Sequence, residues 1–355
     1  MNYLKYIISS ILLLIFVDKL SAQCDDGFTQ IDTLCYYQDD LDVLTEFINN
    51  NELTLPPIEL GIQEWGNGRL VSWDCSFCGL TGHISENIGY LTHIITLRLS
   101  DNLLTGEIPE SIEYLRDMTS LSLNSNQLSG EIPESIGDLY QLEQLYLQSN
   151  LFTGEIPENI GNLIFLNKLM LNNNQLTGEI PEDIIHLVDL EYLWLAFNQL
   201  TGVIPEEIGN LVLLNSLYLS DNLLTGNIPE TIDEIPNLVS LLLMNNQLTG
   251  NITEDICNLC PACWSMGMNN ISGNYFCSQI PSCIQSFIGD QNCSWYDPGD
   301  INQDEIFDIL DIISLVQFTI GMIVPDPFEE VLSDLNSDEI LDILDILILV
   351  NLIIS

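Results

Sequence analysis

Two stretches near the end of the chain carry oxygen ligands at the spacing a hard cation requires. Asp300, Asn302, Asp304, Asp308 and Asp311 stand at the first, third, fifth, ninth and twelfth places of a twelve-residue loop. Asp334, Asn336, Asp338, Asp342 and Asp345 repeat that set 34 residues later. Calcium accepts about six to eight oxygens, and in such a loop a backbone carbonyl from the seventh place joins the side chains. Ile306 and Ile340 stand there, so the spacing predicts two Ca2+ ions, one per loop. Each loop runs into an apolar stretch of helical length, 309–320 and 343–354. The plain alternative is a set of aspartates solvating an acidic helix.

Other chemistry is poorly provided for. His83, His93 and His186 are the three histidines of the chain and lie far apart in it. No glycine-rich phosphate loop, nucleophile elbow or zinc-protease motif is present, so the sequence does not predict an enzyme. Glu107, Glu131 and Glu155 recur at equivalent places of a repeat, which suits a solvated surface better than one paired active site. The chain has 52 acidic against 6 basic residues, a formal charge of -46. That field repels nucleic acid and anionic membranes and favours cations as partners.

The first 22 residues read as a secretory signal: Lys5, then an apolar run from Tyr6 to Val17, then small residues at Ser21 and Ala22. The run is too short to span a bilayer comfortably, and no integral membrane span is expected elsewhere. A secreted or extracellular cell-surface protein follows, which places the ten cysteines in an oxidising setting. They flank a cysteine-free stretch, residues 79–256. Cys257, Cys260 and Cys263 have zinc-like spacing, but the compartment favours disulfides. Cys75 and Cys78 are either a disulfide or a pair of buried thiols.

The element that dominates the chain is a repeat. Asn102, Asn126, Asn150, Asn174, Asn198, Asn222 and Asn246 recur every 24 residues. Within one unit, Leu145 and Leu147 alternate with Tyr146 and Gln148, the period of a short strand with leucines inward. Phe152, Ile156, Ile160 and Leu163 bring the returning chain back to the same core. One coil cannot bury its own apolar face, so coils must stack. The asparagine amide at the strand's end can serve backbone groups of neighbouring coils. Gly106 and Gly130 permit tight turning, and Pro109, Pro133 and Pro157 stiffen an extended segment. At the ends the frame changes. Trp73, Cys75 and Cys78 replace Leu, Leu and Asn in the first unit, Thr253 replaces a proline, and Asn269 would close a last coil one residue short.

Leu128-Ser129-Gly130-Glu131-Ile132-Pro133 and Leu176-Thr177-Gly178-Glu179-Ile180-Pro181 resemble the plant-type leucine-rich repeat. The resemblance implies a right-handed repeat solenoid with a concave parallel β-sheet over residues 67–284. Residues 23–66 resemble its N-terminal cap, with helical spacing over 42–48 and Cys24 and Cys35 closing a small loop. The family binds through outward strand positions, which on this chain gives Tyr146, Met170, Tyr192, Trp194, Phe197 and Tyr218 as the candidate ligand face. A contiguous aromatic patch suits a protein or a glycan; the plain reading is cross-strand packing.

After a linker, 285–298, the duplicated loops of residues 299–355 resemble a dockerin, a small all-α calcium-loop domain. The resemblance implies a cohesin-like scaffold as partner, with Ile309, Leu310, Ile343 and Leu344 at the docking positions. Glu305 and Glu339 depart from the pattern, standing where the loop's sharp turn usually takes glycine. Three functions are compatible with these parts: an extracellular recognition protein attached by its calcium module, a non-catalytic subunit of a polysaccharide-degrading complex, or an inhibitor of foreign hydrolases.

Overall fold

The computed structural model describes residues 24–259, 267–276, 280–281, 284–285, 288–289, 291, 301, 309–323, 325, 333–335 and 340–354. The chain enters through an antiparallel hairpin, Phe28–Ile31 with Leu34–Tyr37, closed by the Cys24–Cys35 disulfide. A helix follows, Gln38–Asn50, whose apolar residues Leu41, Val43, Leu44, Phe47 and Ile48 fall on one buried stripe. Phe47 meets Trp73 of the first coil edge to face at 5.1 Å. Asp40 is fully buried, yet it is paired. It accepts from Arg69 Nε and Nη2 at 2.9 and 3.0 Å and from the Leu70 amide at 2.8 Å. The Arg69 guanidinium also lies over the Tyr37 ring at 4.1 Å. Hairpin, helix and first coil are thereby pinned at one buried charge, whose neutralisation makes burial tolerable.

The coils then stack into a ten-stranded sheet. Ile62–Gly66 pairs antiparallel with Arg69–Asp74, so the sheet begins inside the segment expected to be cap alone. From Arg69–Asp74 onward every pairing is parallel and each strand is one coil further on, through Ser240–Leu242 to Asn269–Asn270. Register is fixed by the repeat: Leu97, Leu121, Leu145, Leu169, Leu193, Leu217 and Leu241 align and all are buried. A second, four-stranded parallel sheet runs through Thr81–His83, Leu103–Gly106, Gln127–Glu131 and Leu151–Thr153. It fades into single bridges at Glu155–Thr177, Glu179–Thr201 and Val203–Thr225. Gly154 shows why glycine is needed there. Its φ is +73°, and a Cβ would lie 2.7 Å from Glu131 Cγ of the preceding coil. Short 3₁₀ helices such as Glu158–Asn162 close each coil, most of them entered through a proline at fixed φ.

The asparagines form the ladder that the repeat demands. Asn150 Nδ2 donates to the carbonyls of Leu147 in its own coil and Leu123 in the coil before, at 3.1 and 3.0 Å. Its Oδ1 accepts from the Leu128 amide at 3.0 Å. Asn102, Asn126, Asn198, Asn222 and Asn246 repeat this three-way pattern. In the first coil Cys78, at the asparagine place, is instead disulfide-bonded to Cys75.

At the far end the expected register is corrected. Asn269 is not a rung. It pairs with Leu241 in the sheet, and the rung is Asn274, fully buried and bonded to Leu243, Ile271 and Leu248. The last coil is therefore longer than its predecessors, not one residue short. Gln291 then repeats the same geometry with a longer side chain, donating to Ile271 and Ile288 and accepting from the Phe276 amide. The core is one continuous cluster reaching Ile288, beyond the end expected at 284.

Two further helices, Ile309–Thr319 and Ile343–Ile354, pack on each other around Ile301, Leu315, Phe318 and Leu349. Leu315 and Leu349 are equivalent under the 34-residue duplication. The expected signal, residues 1–22, lies outside the described residues.

Candidate functional site

The outward positions of the broad sheet are set by strand alternation. Because the leucines point into the core, the residue between them must point away. Register places Asp74, Arg98, Ser122, Tyr146, Met170, Trp194, Tyr218 and Leu242 in one row across the sheet. Ser72, Thr96, Ser120, Gln144, Lys168, Tyr192, Ser216 and Ser240 form the row two residues earlier. The central coils bring the large side chains together. Trp194 and Tyr218 stack at 4.9 Å with rings 15° from parallel. Tyr192 approaches Trp194 edge-on at 6.3 Å, and Lys168 Nζ lies 5.5 Å from the Tyr192 ring. Trp194 Nε1 donates to Ser216 Oγ at 2.9 Å, and Ser240 Oγ donates to the Tyr218 hydroxyl at 3.3 Å. These rings are half-buried by one another and held at their polar edges, so they present a fixed platform. Met170 shares the row but is 9% exposed, so it offers little surface to a ligand. Tyr146 is half-buried, its hydroxyl donating to Gln144 at 3.4 Å.

Phe197 has a property that strand alternation does not reveal. It sits just before the rung, where the chain turns off the sheet in the left-handed conformation, φ +56°. The other coils fill that place with Asp101, Ser125, Ser149, Asn173, Asp221 and Asn245, at φ +55° to +58°. Short polar residues tolerate this conformation; a bulky aromatic is strained in it. Phe197 nevertheless remains 53% exposed, so the strain is not offset by burial. Phe77 takes the same place in the first coil, at φ +59° and 79% exposed. The signal was present in the sequence as a column of Asp, Ser and Asn interrupted twice by Phe.

The calcium-loop positions fall partly outside the described residues: Asp300, Asn302, Asp304, Ile306, Asp308, Asn336 and Asp338 are among those not described. Of the rest, Asp311 and Asp345, the two twelfth-place carboxylates, are fully buried. Each closes its loop in the same way. Asp311 Oδ1 accepts from the Ile301 amide and Asp345 Oδ1 from the Leu335 amide, both at 2.9 Å. Asp345 Oδ2 also accepts from the Asp342 amide at 3.0 Å, and Asp342 Oδ1 accepts from Leu344 at 2.6 Å. Asp334 is half-buried and the Ile340 side chain is exposed. The two loops thus share a buried twelfth-place carboxylate that accepts a backbone amide, while the described residues alone gather no group of three or more potential metal ligands. The docking positions Ile309, Leu310, Ile343 and Leu344 are all exposed.

Elsewhere the described residues gather no catalytic set. His186 Nδ1 lies 3.6 Å from Asp183 on an open surface, and His93 contacts Thr92. Two phenols off the strand face titrate above the usual tyrosine value. Tyr140 does so through its hydrogen bond to Asp138, and Tyr114 through its hydrogen bond to Glu113. Among the described residues no helix is long and apolar enough to cross a membrane.

Comparison with known proteins agrees with this geometry. A leucine-rich-repeat family model matches residues 92–152, and a second matches 165–187, 189–211 and 213–235. No curated protein sequence matches the chain. Among solved structures, the Arabidopsis receptor kinase HAESA, in complex with the peptide hormone IDA and the co-receptor SERK1, superposes with a TM-score of 0.57 at 34% identity. That match covers 62% of this chain and 37% of the receptor chain. The plant peptide hormone receptor RGFR1 in complex with RGF2 gives 0.56 at 31% identity, covering 62% and 34%. A plant ice-binding protein gives 0.52 at 25% identity, covering 70% and 90%. The chain thus spans little more than a third of either receptor. Its array is a plant-type leucine-rich-repeat solenoid, a fold that is typically non-catalytic.

Proposed function

We propose that this protein is an extracellular, non-catalytic recognition protein that binds a partner on the strand face of its central coils. The observation that carries this reading is the Tyr192–Trp194–Tyr218 platform, fixed by stacking and hydrogen bonds, beside an exposed Phe197 held in a strained conformation. Preorganised aromatic surface is what partner-binding hot spots are made of. The structural neighbours HAESA and RGFR1, both seen with peptide ligands, support the same class of role. The second half of the reading is attachment. The 299–355 module binds two calcium ions in dockerin fashion and presents Ile309, Leu310, Ile343 and Leu344 to a cohesin-like scaffold. The paired Asp311 and Asp345 loop closures support it.

The test is a binding screen of the full chain with calcium present, followed by the double variant Trp194→Ala, Tyr218→Ala. Any strand-face ligand loses at least about tenfold in affinity with that variant; full retention overturns the reading. Calorimetry with calcium alone tests the module: two sites at or below about millimolar are expected, and no uptake removes the metal claim.

A further inference from the structure

Phe77 and Phe197 stand in one column of the solenoid, the left-handed turn at the end of each broad-sheet strand, five coils apart. The six other members of that column are Asp, Ser or Asn, side chains short enough for the conformation. An aromatic there costs backbone energy, and both rings remain exposed, so burial does not repay it. Phe77 is also held firmly. The Cys75–Cys78 disulfide closes the turn that carries it, Trp73 and Cys75 before it are buried, and Gly79 after it faces open space.

The column between the two rings is continuous. The amide of each member donates to a carbonyl of the following coil: Phe77 to Ser100 at 3.2 Å, Ser125 to Gln148 at 2.9 Å, Asn173 to Ala196 at 2.9 Å. Asp101, Ser125, Ser149 and Asn173 fill the coils between, half-buried or exposed. Coils joined in this way recur about every 4.8 Å, so the rings stand on the order of 24 Å apart along the edge of the sheet. Phe197 lies three residues past Trp194, so one end of this track meets the aromatic platform.

Strain kept without burial points to a demand from outside the chain, and here it occurs twice in one column. We propose that Phe77 and Phe197 are the two anchors of an elongated site, whose ligand is an extended peptide lying along this edge across the first six coils with an apolar side chain against each ring. The inference rests on the strand-face reading above and gives that ligand its length and direction. An extended chain advances about 3.3 Å per residue, so about seven residues separate the two contacts. Phenyl rings have no polar edge with which to hold sugar hydroxyls, so apolar side chains suit them better. The Ser125, Ser149 and Asn173 side chains between them offer hydrogen bonds to a peptide backbone. The formal charge of -46 selects against acidic peptides and acidic glycans alike, which favours a neutral or basic segment.

The experiment is selection from a random peptide library, about twelve residues long, on the calcium-loaded full chain at about physiological ionic strength. Selected peptides are expected to carry two apolar side chains about seven residues apart. Phe77→Asn and Phe197→Asn each weaken their binding on the order of tenfold, while Phe77→Tyr stays within about threefold. Both asparagine variants raise Tm, because Asn173 and Asn245 already fill this place in other coils, which separates lost binding from lost folding. Cutting a selected peptide to about four residues removes its sensitivity to one ring or the other. Peptides that fail on the Trp194→Ala, Tyr218→Ala protein but are indifferent to Phe77→Asn overturn this inference and leave the strand-face reading standing. Peptides that sense both phenylalanines but not that double variant uphold the anchors and overturn the platform. Peptides indifferent to all of these changes overturn both. Short peptides that still sense both rings, a library that yields no binder, or capture of neutral oligosaccharides in place of any peptide overturns the two-anchor assignment.

Discussion

The two sheets of the solenoid are built from the same coils, yet they treat their outward positions in opposite ways. Along the second sheet and the bridges that continue it, Glu107, Glu131, Glu155 and Glu179 recur in four successive coils, each lying over the glycine of the next at Gly130, Gly154, Gly178 or Gly202, with His83, Val203 and Asn227 at that place in the others. On the broad sheet one row reads Arg98, Ser122, Tyr146, Met170, Trp194, Tyr218 and Leu242. Repetition marks positions where the neighbouring coil narrows the choice, a left-handed glycine with a side-chain stem against it. Variety marks positions where packing asks for little, and side chains are free to answer to something outside the chain. The ladder beneath both sheets is the extreme of the first kind.

That contrast can be broken by three substitutions. The largest effect belongs to the ladder. Asn150→Leu strands the Leu123 and Leu147 carbonyls and the Leu128 amide, and should destabilise the array by about 3 kcal/mol, read by denaturant midpoint. Next is Gly154→Ala, which places a Cβ at φ +73° against the Glu131 side chain and should cost about 1–2 kcal/mol. The smallest change has the opposite sign. Phe197→Asn relieves a left-handed aromatic and should stabilise by about 1 kcal/mol, seen as a higher Tm, while it impairs recognition. A destabilised Phe197→Asn protein would erase the contrast, because Phe197 would then be a packing residue like the others.

Much of this architecture is legible in the sequence. A 24-residue period fixes register outright, so Leu145 inward and Tyr146 outward follow from alternation, and the row joining Tyr146 to Tyr218 follows by counting. The helix over 42–48 was legible from its apolar stripe and runs as Gln38–Asn50. Counting failed where the period did. The last coil is longer, so stepping 24 residues from Asn246 landed beside Asn269 and missed Asn274. Burial depth was illegible for a different reason. Met170 and Trp194 are equivalent in the pattern, and only the mutual stacking of large neighbours decides which stays at the surface. That Gln148 Oε1, Asn172 Oδ1 and Asp221 Oδ2 accept no hydrogen bond from the protein was likewise hidden, since a lone sequence shows donors and acceptors but not which ones meet.

The ladder has a direction. The Asn150 side chain serves its own coil and the one before it, while the coil after is reached only by backbone bonds. Every coil is therefore finished by its successor, and the solenoid has a growing end. As the chain emerges from its N-terminus, each new turn completes the previous one and leaves its own groups open. Growth needs no stop at the start, where the Cys75–Cys78 bond stands in for a rung, but it does need one at the finish. Gln291 is that terminator. It reaches back to Ile271 and Phe276 with an amide one methylene longer than the asparagines it follows. Cutting coils away from the beginning would leave a shorter but still terminated stack. Cutting them from the end would leave an open one.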